Sequence, residues 1–248
     1  MKVKSAVKTA LYRFGYSIKK VRPRRQIRGA KNGENATIRA LLHAEDPYRG
    51  FDFRSYPNDP SGWGGKSPAF QTLIEQVRPN LIIEVGTWKG ASALEMVRCA
   101  KSIGIHPQIV CVDTWLGALE FWGDQSDPER YQALKLRNGY PSVYFQFLAN
   151  VCHAEAQDYI VPFPQTSATA ALWFRQQGIQ ADLIYVDASH EEEDVYQDLT
   201  DYIECLRPGG ILFGDDYGWD GVRLAVDRFV KEQGFKLQFL EDKWFLEL

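Results

Sequence analysis

The sequence predicts an α/β protein: a mostly parallel sheet with helices on both faces. Three observations lead there. From residue 70 onward, short apolar runs recur without polar alternation, as expected of strands buried on both faces. Stretches with apolar residues three and four apart separate them. The tail, Phe235 to Leu248, reads as two short strands around Glu241-Asp242-Lys243, a hairpin closing the sheet.

In chain order, Leu81-Ile82-Ile83-Glu84-Val85 is the first strand, followed by Gly86 and a helix carrying Leu94, Val97 and Ala100 that ends near Gly104. Ile109-Val110-Cys111-Val112 is the second, closed by Asp113. Tyr159 to Phe163 is the third, with a helix from Ala168 to Gln177; Asp182 to Val186 is the fourth and Ile211 to Phe213 the fifth. Ser189 and Glu192 have the spacing of a capping box, and Glu191, Glu192 and Glu193 suit the positive end of a helix dipole. That helix is expected to run along Val195, Leu199, Ile203 and Leu206 and to stop at Arg207-Pro208-Gly209-Gly210. A further amphipathic helix follows residue 219 through Val222, Val226, Phe229 and Val230. Residues 44–69 read as an irregular loop over the site, and 70–248 as the main domain. Within it, the aromatic-rich insertion 116–150 is either a lid or an oligomer contact.

The chain has 248 residues, 45% apolar and 25% charged, which excludes disorder, collagen and coiled coil as whole-chain readings. No uninterrupted apolar stretch is long enough to span a membrane. Cys99, Cys111, Cys152 and Cys205 form no CxxC pair and read as buried thiols in a reducing, cytoplasmic setting. The net charge of −3 conceals an asymmetry: residues 1–33 hold eleven Lys or Arg and no acid, while the remainder carries 18 basic against 32 acidic residues. Within the arm (1–43), residues 2–20 form a basic amphipathic helix. It docks on the acidic body of its own chain or of a second subunit in a homo-oligomer, or it meets anionic lipid or a membrane-bound assembly as a peripheral contact. Nucleic acid is not expected: no such motif accompanies the arm, and the acidic body repels phosphate.

The strongest functional signal is Glu84-Val85-Gly86-Thr87-Trp88-Lys89-Gly90-Ala91-Ser92. A glycine directly after a strand permits a tight turn, and small residues at 90–92 expose the N–H groups of the next helix. The dinucleotide fingerprint and the triphosphate loop are both absent. The remaining pattern, ExGxxxG, carries a carboxylate suited to a cationic group, and Asp113 at the tip of strand two can accept from ribose hydroxyls. S-adenosylmethionine joins those two features. Together with VDASH (186–190) and LRPGGILFGDD (206–216), the series resembles the class I S-adenosylmethionine-dependent methyltransferases. It is most similar to the metal-dependent small-molecule O-methyltransferases related to macrolide and aminocoumarin sugar methyltransferases, some of whose relatives are labelled cephalosporin hydroxylases. The resemblance covers about residues 70–248 and has no counterpart for the basic arm. It implies a Rossmann-like, doubly wound seven-stranded sheet with one antiparallel strand. It also implies that Glu84, Gly86, Thr87, Gly90 and Ser92 cradle the methionine end of the cofactor, that Asp113 binds ribose, and that Ser167 lies near adenine.

Asp187 ends strand four, and Asp215 and Asp216 end strand five, so all three are expected to converge beside the cofactor. Two unit charges about 4 Å apart cost about 4 kcal/mol at an effective dielectric near 20, so protons or a cation must sit among them. An all-oxygen site suits Mg²⁺ or Mn²⁺; the alternative is that the three merely cap turns. His190, three residues after Asp187, stands where metal-dependent relatives carry the general base; otherwise it caps its own helix. His43, His106 and His153 lack such context and read as structural. Tyr217, Trp219, Trp63 and Trp115 are candidate walls of the acceptor pocket or plain packing. The function expected is metal-assisted O-methylation of a hydroxyl on a small molecule, such as a sugar or glycan unit. The alternatives are a hydroxylase-type oxidoreductase and a non-catalytic binding module.

Overall fold

The computed structural model describes residues 35–62, 65–118, 121–122 and 128–247. The basic helix expected over residues 2–20 lies outside them, as does Trp63. Strands β1 (Leu81–Val85), β2 (Gln108–Asp113), β5 (Ile160–Pro164), β6 (Ala181–Val186), β7 (Leu206–Gly214), β8 (Lys236–Leu240) and β9 (Lys243–Glu247) form one seven-stranded sheet in the order β5-β2-β1-β6-β7-β9-β8. The pairings from β5 to β7 are parallel, and β9 runs antiparallel to both β7 and β8. The expected sheet with one antiparallel strand is therefore present. The chain leaves β1 toward β2 on one side and returns through β6 on the other. The crevice between β1 and β6 is thus the switch point at which such sheets bind ligands.

Alternate residues along each strand supply two cores. Ile82, Cys111, Tyr185 and Phe213 face α2 (Pro68–Val77), α3 (Ala91–Ser102) and α5 (Ser142–His153) through Phe70, Met96 and Phe147. Ile83, Val110, Ile184 and Leu212 face α6 (Ser167–Gln177), α7 (Glu192–Ile203) and α8 (Asp220–Gln233) through Phe174, Leu199 and Phe229. Glu84 pairs in register with Cys111 on the α3 side, where a carboxylate sits within an otherwise apolar layer. An N-terminal helix, α1 (Asn35–Leu42), packs near β5, and His43 Nε2 lies 2.7 Å from the Pro162 carbonyl.

Several expectations about the ends of elements need correction. Ser189 does not cap α7: its hydroxyl accepts from the Glu191 amide at 3.2 Å and lies 3.0 Å from Asp194 in its own turn, while Glu191 holds the cap position. The helix stops at Ile203, and Leu206, Arg207 and Pro208 belong to β7. Proline is accommodated there because the β6–β7 register shifts between Ala181 and Leu183, leaving a bulge in which no ladder donor is needed. The insertion contains α4 (Pro128–Leu134), a small hairpin of β3 (Leu136–Arg137) and β4 (Tyr140–Pro141), and the start of α5. Val143, Phe147 and Leu148 of α5 are buried in the first of the two cores, so the last part of that segment is core.

At the switch point the two neighbouring strands almost touch. Gly86 donates to Val112 O at 2.9 Å and Asp187 N donates to Val85 O at 2.8 Å. Gly86 has φ +85°, and a Cβ there would lie 1.9 Å from the Asp187 carbonyl oxygen. Gly86→Ala should therefore cost about 3 kcal/mol or more, combining left-handed strain with a backbone clash. Gly104→Ala, at φ +67° with nothing within 4 Å, should cost only about 1–2 kcal/mol. Urea unfolding of the two variants checks the difference; equal losses would refute the crowding argument.

Candidate active site

The turn after β1 is organised around two carboxylates. Glu84 is fully buried; Thr87 Oγ1 donates to its Oε2 at 2.8 Å, the Ser92 hydroxyl donates to Oε1, and the Cys111 thiol lies 3.3 Å from Oε2. Burial outweighs these donors and pushes Glu84 up to about 7. The oxygens of Glu84 thus bind the loop, helix α3 and β2 internally. Asp113 Oδ2 accepts from the Thr87 and Trp88 amides at 3.0 and 2.8 Å, and Oδ1 accepts from Trp115 N at 2.7 Å. Burial still raises it above the usual carboxylate range. The turn is therefore held open by side-chain acceptors. Gly90, φ +89°, holds the N-cap position of α3 and supplies no side-chain cap.

A segment of the 44–69 loop crosses this turn. Lys89, only 5% exposed, reaches Asp59 Oδ2 at 2.7 Å, Ser61 Oγ at 3.0 Å and Glu129 Oε1 at 3.1 Å. Asn150 of α5, also buried, accepts from Asp59 N at 3.0 Å and donates to Asp59 O at 2.8 Å and Lys89 O at 2.9 Å. A Cβ on Gly65 would lie 2.6 Å from Ala91 Cβ, so the strap packs closely on the start of α3. A cleft of about 840 Å³ lies between the strap, Ala91 and the β8–β9 turn, bordered by Asp59, Ser61, Ser67 and Asp242.

The second cluster lies at the tips of β6 and β7. Tyr185 Oη donates to Asp187 Oδ2 at 3.0 Å and lies 3.4 Å from Asp215 Oδ2. Burial, with Asp215 and Asp216 alongside, pushes Asp187 up to about 7. Asp215 accepts from the Asp216 amide at 2.8 Å and forms an ion pair with Lys243, whose side chain has no exposure. Lys243 also holds Asp242 Oδ2 at 2.9 Å, with its ammonium 5.7 Å from the Phe70 ring centre. Asp216, at φ +58°, turns outward, and His190 Nε2 lies 3.0 Å from its Oδ2. The imidazole stacks on Trp219 at 4.8 Å between centroids.

Asp187, His190 and Asp216 each bring a ligand atom within 4.8 Å of the others. Among the described residues this is the set that fits a divalent ion. Of the expected trio of Asp187, Asp215 and Asp216, Asp215 stands apart from this set and is ion-paired with Lys243. Ser167 has turned toward α7: Tyr202 Oη donates to its carbonyl at 3.0 Å, and its hydroxyl bonds Asp198. Trp115 is 1% exposed, donates to Trp88 O at 2.8 Å and packs on Phe147, so it belongs to the core and walls no pocket. Tyr217 is bonded to Asp227 at 2.6 Å. His153 lies 3.0 Å from Tyr56 O and His106 stacks on Tyr159 at 3.8 Å; neither joins the clusters above. Lys89, Asn150, Tyr185 and Lys243 were not singled out from sequence. Their one visible signal was a lysine inside each of two apolar, turn-bounded contexts.

A family model described as a methyltransferase domain matches residues 83–217, over half of the chain, and the chain belongs to that family. A relative from Streptomyces olivaceus, an 8-demethyl-8-(2,3-dimethoxy-alpha-L-rhamnosyl)-tetracenomycin-C 4'-O-methyltransferase, is 28% identical over 63% of this chain and 60% of its own length. An uncharacterized protein y4gI from Sinorhizobium fredii is 26% identical over 71% of this chain but 16% of its own; the chain thus spans less than two thirds of either curated relative. Among solved structures, an O-methyltransferase from Bacillus cereus in complex with SAH matches at TM-score 0.51 and 14% identity, covering 97% of this chain and 96% of that one. The TDP-rhamnose 3'-O-methyltransferase CalS11 of calicheamicin biosynthesis matches at TM-score 0.51 and 18% identity, covering 72% and 77%. These likenesses carry the fold. No helix among the described residues is long and apolar enough to cross a membrane.

The buried Glu84 makes a pH prediction. Its pKa in the folded protein, about 7, exceeds the ordinary value of 4.5, so the folded state binds the extra proton. Stability is full below about pH 4 and is lost as pH rises toward 7. Glu84→Gln mimics the protonated form. Its stability relative to the parent should increase with pH across that window, by about 3 kcal/mol at most. Thermal melts from pH 5 to 8 test this; parallel curves would contradict it.

Proposed function

We propose that the protein transfers the methyl group of S-adenosylmethionine to a hydroxyl of a small molecule, a sugar unit being the favoured acceptor. The observation that carries this reading is the placement of the His190–Asp216 pair and Asp187 within 4.8 Å of one another, beside the β1–β6 crevice that opens onto the uncapped N-terminus of α3. The methionine carboxylate of the donor suits that N-terminus, and Ser92, Thr87 and Gly86 shape the turn beneath it. Asp113 keeps lone pairs for ribose hydroxyls while its oxygens hold the loop amides. The rhamnose-directed names of the Streptomyces olivaceus relative and of CalS11 favour a sugar acceptor.

His190 takes the proton of the acceptor hydroxyl, and Asp216 stabilises the imidazolium that results. The freed oxygen attacks the methyl carbon in line with the departing sulfur. The C–O bond forms as the C–S bond breaks, giving a methyl ether and S-adenosylhomocysteine. The sulfonium brings its own activation, so the protein supplies alignment and charge stabilisation. Asp187 and Asp216 would hold a divalent ion, Mg²⁺ or Mn²⁺, which when bound lowers the pKa of the acceptor hydroxyl. Trp219, stacked on His190 and 58% exposed, offers a flat apolar face to a sugar ring.

Two measurements test the reading. Calorimetry should show binding of S-adenosylmethionine and none of NAD; the reverse would overturn the cofactor assignment. On an acceptor found by a methyl-donor screen of glycosides and catechols, His190→Ala should lower kcat by about 10²–10⁴ with little change in cofactor affinity. Undiminished turnover would remove His190 as the base.

A further inference from the structure

The acidic edge contains a cation that no sequence motif announces. Three carboxylates, Asp187, Asp215 and Asp216, meet at the tips of β6 and β7, and Lys243 enters their midst from the start of β9 with no side-chain exposure. A buried ammonium is stable only where carboxylates replace its hydration, and Lys243 has Asp215 on one side and Asp242 on the other. The second oxygen of Asp215 is occupied by the Asp216 amide at 2.8 Å. The Tyr185 hydroxyl, 3.0 Å from Asp187 and 3.4 Å from Asp215, stands between the two groups. Asp215 is thus held by an internal cation on one oxygen and an amide on the other, whereas Asp216 points outward to His190.

We propose that Lys243 is the resident counter-cation of this edge: it withdraws Asp215 from metal ligation and thereby sets both the ligand set and the strength of divalent-ion binding. Lys243 touches neither the reacting atoms nor an ion, so it is a positioning residue acting through Asp215. The proposal rests on the acidic-edge centre described under the proposed function. With the ammonium present, an ion meets Asp187 and Asp216, beside His190. Without it, Asp215 becomes an additional anionic ligand, and the repulsion among the three carboxylates favours a divalent ion more strongly.

The test is titration of Mn²⁺ alone into the full-length protein, followed by calorimetry and by the loss of free Mn²⁺ signal in electron paramagnetic resonance. Lys243→Met should bind Mn²⁺ at least tenfold more tightly than the parent, and the gain should vanish in Lys243→Met with Asp215→Asn. Asp215→Asn alone should stay within about threefold of the parent, while Asp216→Asn should weaken binding by tenfold or more. Lys243→Gln, which keeps a hydrogen-bond donor for Asp215 without the charge, serves where circular dichroism shows Lys243→Met unfolded, and should shift binding in the same direction. Unchanged or weaker binding in the Lys243 variant overturns the proposal, as does a loss in Asp215→Asn equal to that in Asp216→Asn. Binding that appears only once Lys243 is replaced supports it, while removing the metal from the proposed reaction of the natural chain. No Mn²⁺ uptake by either protein overturns both.

Discussion

Five carboxylates gathered at one edge of a parallel sheet are the constraint on which the rest of the structure depends. Glu84, Asp113, Asp187, Asp215 and Asp216 end or nearly end β1, β2, β6 and β7, and their mutual repulsion in a low-dielectric setting must be answered locally. The chain answers it differently at each position. Glu84 takes two hydroxyls and a thiol, Asp113 three backbone amides, Asp215 an ammonium. Asp187 has one phenol and is pushed up to about 7. Asp216 has an imidazole at 3.0 Å and is about a third exposed. The carboxylates are therefore graded across the edge from internally saturated to partly exposed, and the proposed proton transfer falls at the exposed end.

The sheet was legible because strands buried on both faces cannot hide their composition: LIIEV, IVCV and DLIYV permit few other readings. The tail hairpin was legible from three charged residues set between apolar runs. Ends were less so. Leu206 continues the helical spacing of Leu199 and Ile203, yet it pairs with Ala181 as strand; periodicity could not reveal a partner 25 residues earlier. Ser189 and Glu192 have capping-box spacing, but Ser189 satisfies its own turn first, so the helix begins two residues later than the pattern suggests.

The site was legible to the extent that it is local in sequence. Glu84-x-Gly86 and Asp187-x-x-His190 each sit on one turn, and strand order alone brings their turns to the same edge. Lys243 was not legible for the opposite reason. In the sequence it is one of three charges in a hairpin turn, ordinarily a solvated position. Only the antiparallel register of β9 on β7, with Trp244 opposite Gly214, carries it inward to Asp215. Gly214 permits this, since a Cβ there would lie 2.2 Å from the Trp244 ring. Trp115 erred in the other direction: an aromatic residue on a loop at the site edge looked like a pocket wall, yet its indole closes the core beneath Trp88.

One consequence joins the two clusters. Ser67, at the end of the strap, bonds Asp242; Asp242 bonds Lys243; and Lys243 bonds Asp215. At its other end the strap is held by Asp59 on Lys89, within the turn that follows β1. The strap is thus anchored by an ion pair to the turn that would cradle a cofactor and by a hydroxyl–carboxylate hydrogen bond to the β8–β9 turn, with the cleft of about 840 Å³ between its anchors. The lysine at the first anchor and the one behind the second are largely or wholly removed from water, 5% and 0% exposed, where their ion pairs are costly to break. A continuous run of polar contacts, Ser67 to Asp242 to Lys243 to Asp215, therefore links the strap to the acidic edge.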